Sequence, residues 1–114
     1  MLMEISHAEA GPATEVVTLT GKLMMGPESA KIVNLVDDLM KQGKRILVFD
    51  MAGVTAIDST GIGRFIYTYN KLAGAGGDMR MAGATGHVLQ TFKVSLLDQV
   101  FRFFPTVEEA VRAG

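Results

Sequence analysis

The chain has 114 residues, 48% of them hydrophobic and 20% charged, with a formal net charge of -1 and no cysteine. That size suits one domain over residues 1–114 with one core, and the charge balance offers no basic surface for nucleic acid. Without cysteine there are no disulfides, thiolate metal sites or cysteine nucleophiles.

The N-terminus lacks the basic head and apolar middle of a signal peptide. Apolar runs such as Ile46-Leu47-Val48-Phe49 are too short to span a bilayer, so a soluble cytoplasmic protein is expected. Met3 to Ala8 reads as a first, edge strand, and Gly11-Pro12 as a turn. Val16 to Thr20 is rich in β-branched residues and reads as a second strand. Pro27 opens a helix at a position where its missing N–H costs little. Ala30, Val33, Val36 and Met40, flanked by Ile32, Leu35 and Leu39, give that helix a broad apolar stripe, and Gly43 ends it.

Arg45 to Asp50 has a continuous apolar middle, the pattern of a central strand buried on both faces. Met51 to Ile57 reads as a loop. A second helix begins near Ser59, with Ile62, Phe65, Ile66, Tyr69 and Leu72 at helical spacing and expected in the core; Gly74 to Gly77 terminate it. Asp78 to Ala82 is a short strand. A helix follows around Gly86 to Phe92, then an apolar patch at Leu96-Leu97 and a final strand over Val100 to Phe103. Thr106 with Glu109 forms a capping box for a last helix ending near Arg112. The order β-β-α-β-α-β-α-β-α predicts an α/β fold: a mixed, mostly parallel sheet of four to five strands with helical cover and an antiparallel leading edge strand.

Catalytic chemistry is sparse. His7 and His87 sit in polar contexts without metal-ligand spacing, so both read as surface residues and no metal or cofactor is expected. No nucleophile elbow occurs. The eight methionines read mostly as core filler, with Met24 and Met25 set apart because they sit in a loop before a helix. Asp50 at the end of a buried strand invites comparison with a receiver phosphoacceptor. The chain has neither the acidic pair after its first strand nor the lysine after its last, and that reading is rejected.

Asp58-Ser59-Thr60-Gly61-Ile62-Gly63 concentrates an acid, two hydroxyls and two glycines at a helix start. The third glycine of a dinucleotide fingerprint is missing. Capping explains the acid and hydroxyls. Two glycines in one first turn imply either close packing of that turn or a backbone that another molecule approaches; spacing alone leaves both open. A phosphoserine adds a charge of about -1.5 to -2, which a helix N-terminus tolerates. Such a site works as a switch on whatever binds there.

Leu19-Thr20-Gly21-Lys22-Leu23, Ile46 to Asp50, Val54 to Gly63 and Phe103-Phe104-Pro105-Thr106-Val107-Glu108-Glu109-Ala110, in that order, resemble the STAS family (sulfate transporter and anti-sigma factor antagonist) over almost the whole chain. The chain is similar to its single-domain members, the bacterial anti-sigma factor antagonists. The resemblance implies a non-enzymatic module that binds a kinase-type anti-sigma factor, is phosphorylated on Ser59 and released, and is reset by a serine phosphatase. It implies partner contacts at Met24, Asp58, Thr60, Gly61, Gly63 and Arg64; a dimer is allowed. One position departs: Met24 stands where many antagonists carry an acid, giving a more apolar surface beside Ser59. The rival reading is a structural or accessory STAS domain, in a signalling scaffold or a lipid-transport ATPase complex, whose serine only caps.

Overall fold

A computed structural model describes residues 3–113. The chain runs β1 (Glu4–Glu9), β2 (Thr14–Leu23), α1 (Pro27–Lys41), β3 (Ile46–Ile57), α2 (Ser59–Gly74), β4 (Asp78–Ala82), α3 (Gly86–Val94), a 3-10 turn (Leu97–Gln99), β5 (Arg102–Phe104) and α4 (Val107–Arg112). One five-stranded sheet has the order β1-β2-β3-β4-β5, with β1 antiparallel to β2 and the other pairs parallel. This is the expected mixed α/β architecture.

The sheet has two unequal faces. Leu19, Leu47, Phe49, Met79 and Met81 point into the main core with Ile32, Val36, Phe65, Leu72 and Phe92 from the helices. Phe49 and Phe65 meet edge to face, their centroids 5.3 Å apart. On the opposite face Val48, Ala82 and Ala110 form a small cluster that includes α4. Leu47, Val48 and Phe49 therefore alternate between two covered faces, which is why β3 reads as an uninterrupted apolar run.

Several expectations need correction. Met51 to Ile57 is no loop: β3 continues to Ile57 because β2 also runs on, pairing Gly21 with Val54, Lys22 with Ala56 and Leu23 with Ile57. Register shifts between Thr18 and Thr20 and between Gly21 and Lys22 replace the two-residue alternation that would have announced a strand. Gly53, which looks like a breaker, lies inside the strand where a Cβ would stand 2.6 Å from Thr20 Cγ2.

The final strand is Arg102–Phe104 rather than Val100 to Phe103. The 3-10 turn uses residues 97–99 and leaves Val100 exposed, while Phe101 is buried. Leu97 packs on the core but Leu96 is 62% exposed, with a left-handed φ of 60°.

On α2, Phe65 and Leu72 are fully buried, Ile62 and Tyr69 pack at the core margin, and Ile66 is on the surface. Thr68 takes the core place expected of Ile66. Its hydroxyl donates to the Arg64 carbonyl at 2.9 Å, so burying it leaves no unpaired polar group. On α1 the buried line is Ser29, Ile32, Val36 and Leu39.

Both histidines are exposed, as expected, and His7 also gains an acid that strand pairing supplies. Its Nδ1 lies 2.6 Å from Glu15 Oε2, and Glu15 is buried. Buried Lys44 joins the group, 2.7 Å from Glu9 Oε1 and 3.6 Å from Glu15 Oε1. The cluster ties the β1–β2 hairpin to the segment entering β3. Asp50 lies within β3, not at its end, and its Oδ1 accepts from the Ala52 amide at 3.1 Å.

Candidate functional site

The site stands where β2 and β3 end together and α2 begins. Leu23 and Ile57 are paired last residues of their strands, and the Asp58 amide donates to the Leu23 carbonyl at 3.2 Å. Asp58 is extended (φ -113°, ψ -175°) and is the N-cap of α2. Its Oδ1 accepts the Gly61 N–H at 2.9 Å, and its carbonyl accepts the Ile62 N–H at 3.0 Å. Its Oδ2 accepts the Met25 N–H at 3.0 Å, from the turn between β2 and α1. One side chain thus joins the start of α2 to the loop that carries both surface methionines.

These two amides set the electrostatics. The Gly61 N–H, then the Met25 N–H, hold the Asp58 carboxyl below its ordinary value of 3.8, because each bond favours the ionised form. A carboxyl lowered on folding adds stability above its unfolded value, and that stability is lost as pH falls through the folded value. Asp58→Asn keeps one acceptor for the cap but does not titrate. Its acid-unfolding curve is therefore expected to be flatter than the parent's below pH 3.8, as followed by circular dichroism. Coincident acid limbs would show that Asp58 contributes nothing there.

Because Asp58 does the capping, Ser59 does not. Ser59 is the first residue of α2 and is exposed; among the described residues its hydroxyl has no hydrogen-bond partner. Thr60 is half-buried. The two glycines do different work. A Cβ on Gly61 would lie 2.2 Å from the Leu23 carbonyl oxygen and 2.9 Å from Ile57 Cγ1, so this glycine lets α2 sit against the strand ends. Gly63 is exposed, with nothing within 4 Å of its Cβ position, and keeps the backbone of that face open. Close packing, one of the two alternatives read from the sequence, holds for Gly61, while Gly63 stands in open space.

Met24 and Met25 are 40% and 81% exposed. On α2, Ile66 and Tyr67 are also large exposed side chains. Arg64 turns toward α1, its Nε 3.5 Å from the hydroxyl of buried Ser29. The structure thus joins Met25, Asp58 and Gly61 by direct bonds, places Ser59 and Gly63 beside them in the open, and sets Arg64 at the α1 boundary.

The bond from Met25 to Asp58 was not foreseen. The one available signal was chemical: a carboxylate has two acceptor oxygens, and a helix cap uses only one. Among the described residues no group of His, Cys, Asp or Glu could hold a metal ion, and no helix is long and apolar enough to cross a membrane.

Residues 8–110 match the family model of the STAS domain. No curated protein matches the chain in sequence. Solved structures do share its fold. An anti-sigma factor antagonist from Mycobacterium paratuberculosis superposes with a TM-score of 0.78 at 22% identity, covering 96% of this chain and 91% of that one. The Bacillus cell fate determinant SpoIIAA in its phosphorylated form gives 0.76 at 19% identity, covering 95% and 96%. A sulfate transporter family protein from Wolinella succinogenes gives 0.74 at 13% identity, covering 91% and 86%.

Proposed function

The chain belongs to the STAS domain family, and we propose that within it the chain is an anti-sigma factor antagonist: a cytoplasmic, single-domain, non-catalytic binding module switched by phosphate on Ser59. Its partner is a kinase-type anti-sigma factor. The face used comprises Met24, Asp58, Ser59, Thr60, Gly61, Gly63 and Arg64. In the switching step Ser59 Oγ attacks the γ-phosphorus of a nucleoside triphosphate held by the partner. The Oγ–P bond forms, the bond from that phosphorus to the bridging oxygen breaks, the diphosphate leaves, and the hydroxyl proton passes to a base on the partner. A serine phosphatase restores the hydroxyl with water.

One observation carries this reading. The Ser59 hydroxyl is exposed and uncommitted at a helix start whose cap is supplied by the residue before it. A serine kept only to cap would hold an amide. Gly63 supports the same reading, since an alanine there would fit the fold and only an approaching molecule gains from its absence. Phosphate at this position also meets the positive end of a helix of 16 residues, so the domain carries the charge without unfolding.

The test is incubation of the chain with a purified kinase-type anti-sigma factor from the same organism and ATP, followed by peptide mass spectrometry. The expected product is one phosphate, on Ser59, absent from Ser59→Ala. No phosphate, or phosphate confined to another residue, would sink the proposal. The apolar exposure of Met24 and Met25 favours the accessory reading as second choice. Co-purification with transporter subunits and a Ser59 without phosphate in native protein would select it.

A further inference from the structure

Asp58 divides its two carboxylate oxygens between two elements. Oδ1 holds the first turn of α2 through Gly61, and Oδ2 holds the β2–α1 turn through Met25. Among the described residues no other hydrogen bond holds Met25, the most exposed large apolar side chain. Ser59 is adjacent to Asp58 in the chain and stands in the same first turn.

Phosphate on Ser59 acts on Asp58 in two ways with the same sign. Phosphate oxygens on the first residue of a helix compete for the amides of its first turn, of which Gly61 N–H is one. The added charge also repels the neighbouring carboxylate directly. Either effect drives Asp58 away from the helix start, and its other oxygen must leave Met25 when it goes.

We propose that Asp58 is a positioning residue that couples the two parts of this surface: phosphate on Ser59 displaces its carboxylate and frees the Met24–Met25 turn. Phosphorylation then does more than add charge. It also removes an ordered methionine contact that a partner with an apolar socket would need, and it does so without moving the sheet or the body of α2. This inference rests on Ser59 being the phosphorylated residue.

The experiment is amide hydrogen exchange by NMR on the full chain in four forms: parent, Ser59→Ala, Asp58→Asn, and a chain with phosphoserine installed at position 59 during translation. In Asp58→Asn the single remaining acceptor serves Gly61. The Met25 amide is then expected to exchange about tenfold faster, the loss of one bond to a charged acceptor, while Gly61 stays within about twofold. The phosphorylated chain should also show the faster Met25 exchange, and Ser59→Ala should match the parent.

An unchanged Met25 rate in the phosphorylated chain overturns the coupling, and so does an unchanged rate in Asp58→Asn. Joint acceleration of Met25 with Phe65 in the core would report general loosening and overturns it too. Because the phosphate is installed without any kinase, these outcomes are independent of whether a partner phosphorylates Ser59.

Discussion

Replacing Gly61 by alanine is expected to cost about 3 kcal/mol, toward the upper end for overpacking a folded core. The added methyl would stand 2.2 Å from the Leu23 carbonyl oxygen and 3.1 Å from its carbon, both backbone atoms. No rotamer change relieves a clash with backbone. Relief requires α2 to lift from the ends of β2 and β3, and that movement strains the bond from the Asp58 amide to the same Leu23 oxygen. For a domain of this size the melting temperature should fall by about 10 °C.

Gly63→Ala is the matched control. It places the same methyl one half-turn on, in open space, and should raise stability by about 0.5–1 kcal/mol because alanine is the better helix former. Thermal melts of the two variants decide the matter. Similar behaviour would mean that Gly61 does not make the close contact described.

The second large effect is on binding. Ser59→Asp is expected to weaken the proposed complex with a kinase-type anti-sigma factor by about a hundredfold, whereas Ser59→Ala should bind as the parent does. Asp58 already places one negative charge at this edge, ionised and held by two amides. A second carboxylate beside it makes a concentrated negative patch, and like charges brought together in an interface cost several kcal/mol. Each 1.4 kcal/mol is tenfold in affinity, so about a hundredfold is a moderate share of that cost.

Stability should hardly follow. An acid in the first turn suits the helix dipole, and exposed substitutions of this kind stay within about 0.5 kcal/mol. Titration calorimetry with the purified partner gives the affinities, and thermal melts confirm that both variants are folded. Equal affinity for all three proteins would remove Ser59 from the switch. Loss of binding in Ser59→Ala would make the hydroxyl a contact rather than a place for phosphate.

Much of this molecule was legible before folding was considered. The β-branched run at Val16 to Thr20, the apolar middle of Ile46 to Phe49 and the helical spacing of Phe65 and Leu72 each announce their element through local chemistry. Thr106 caps α4 as its spacing indicated, its hydroxyl accepting from the Glu109 N–H at 3.2 Å. The misreadings have one origin. Residues 51 to 57 become strand because β2 lies alongside them, and Ile66 yields its core place to Thr68 because of where α2 meets the sheet.

The candidate site divides in the same way. Sequence by itself determined that an acid, hydroxyls and glycines meet at a helix start, because capping and the helix dipole act within one turn; the choice of Ser59 among the hydroxyls is what the family resemblance implies. Only the tertiary structure decided which residue caps, which glycine is packed and which is open, and that Met25 hangs from Asp58. It also paired His7 with Glu15 through the hairpin. Each of those facts is a contact between segments that the chain brings together only on folding: Leu23 with Gly61, Met25 with Asp58, β1 with β2. Such contacts depend on distances in space, and neither propensity nor periodicity encodes them one segment at a time.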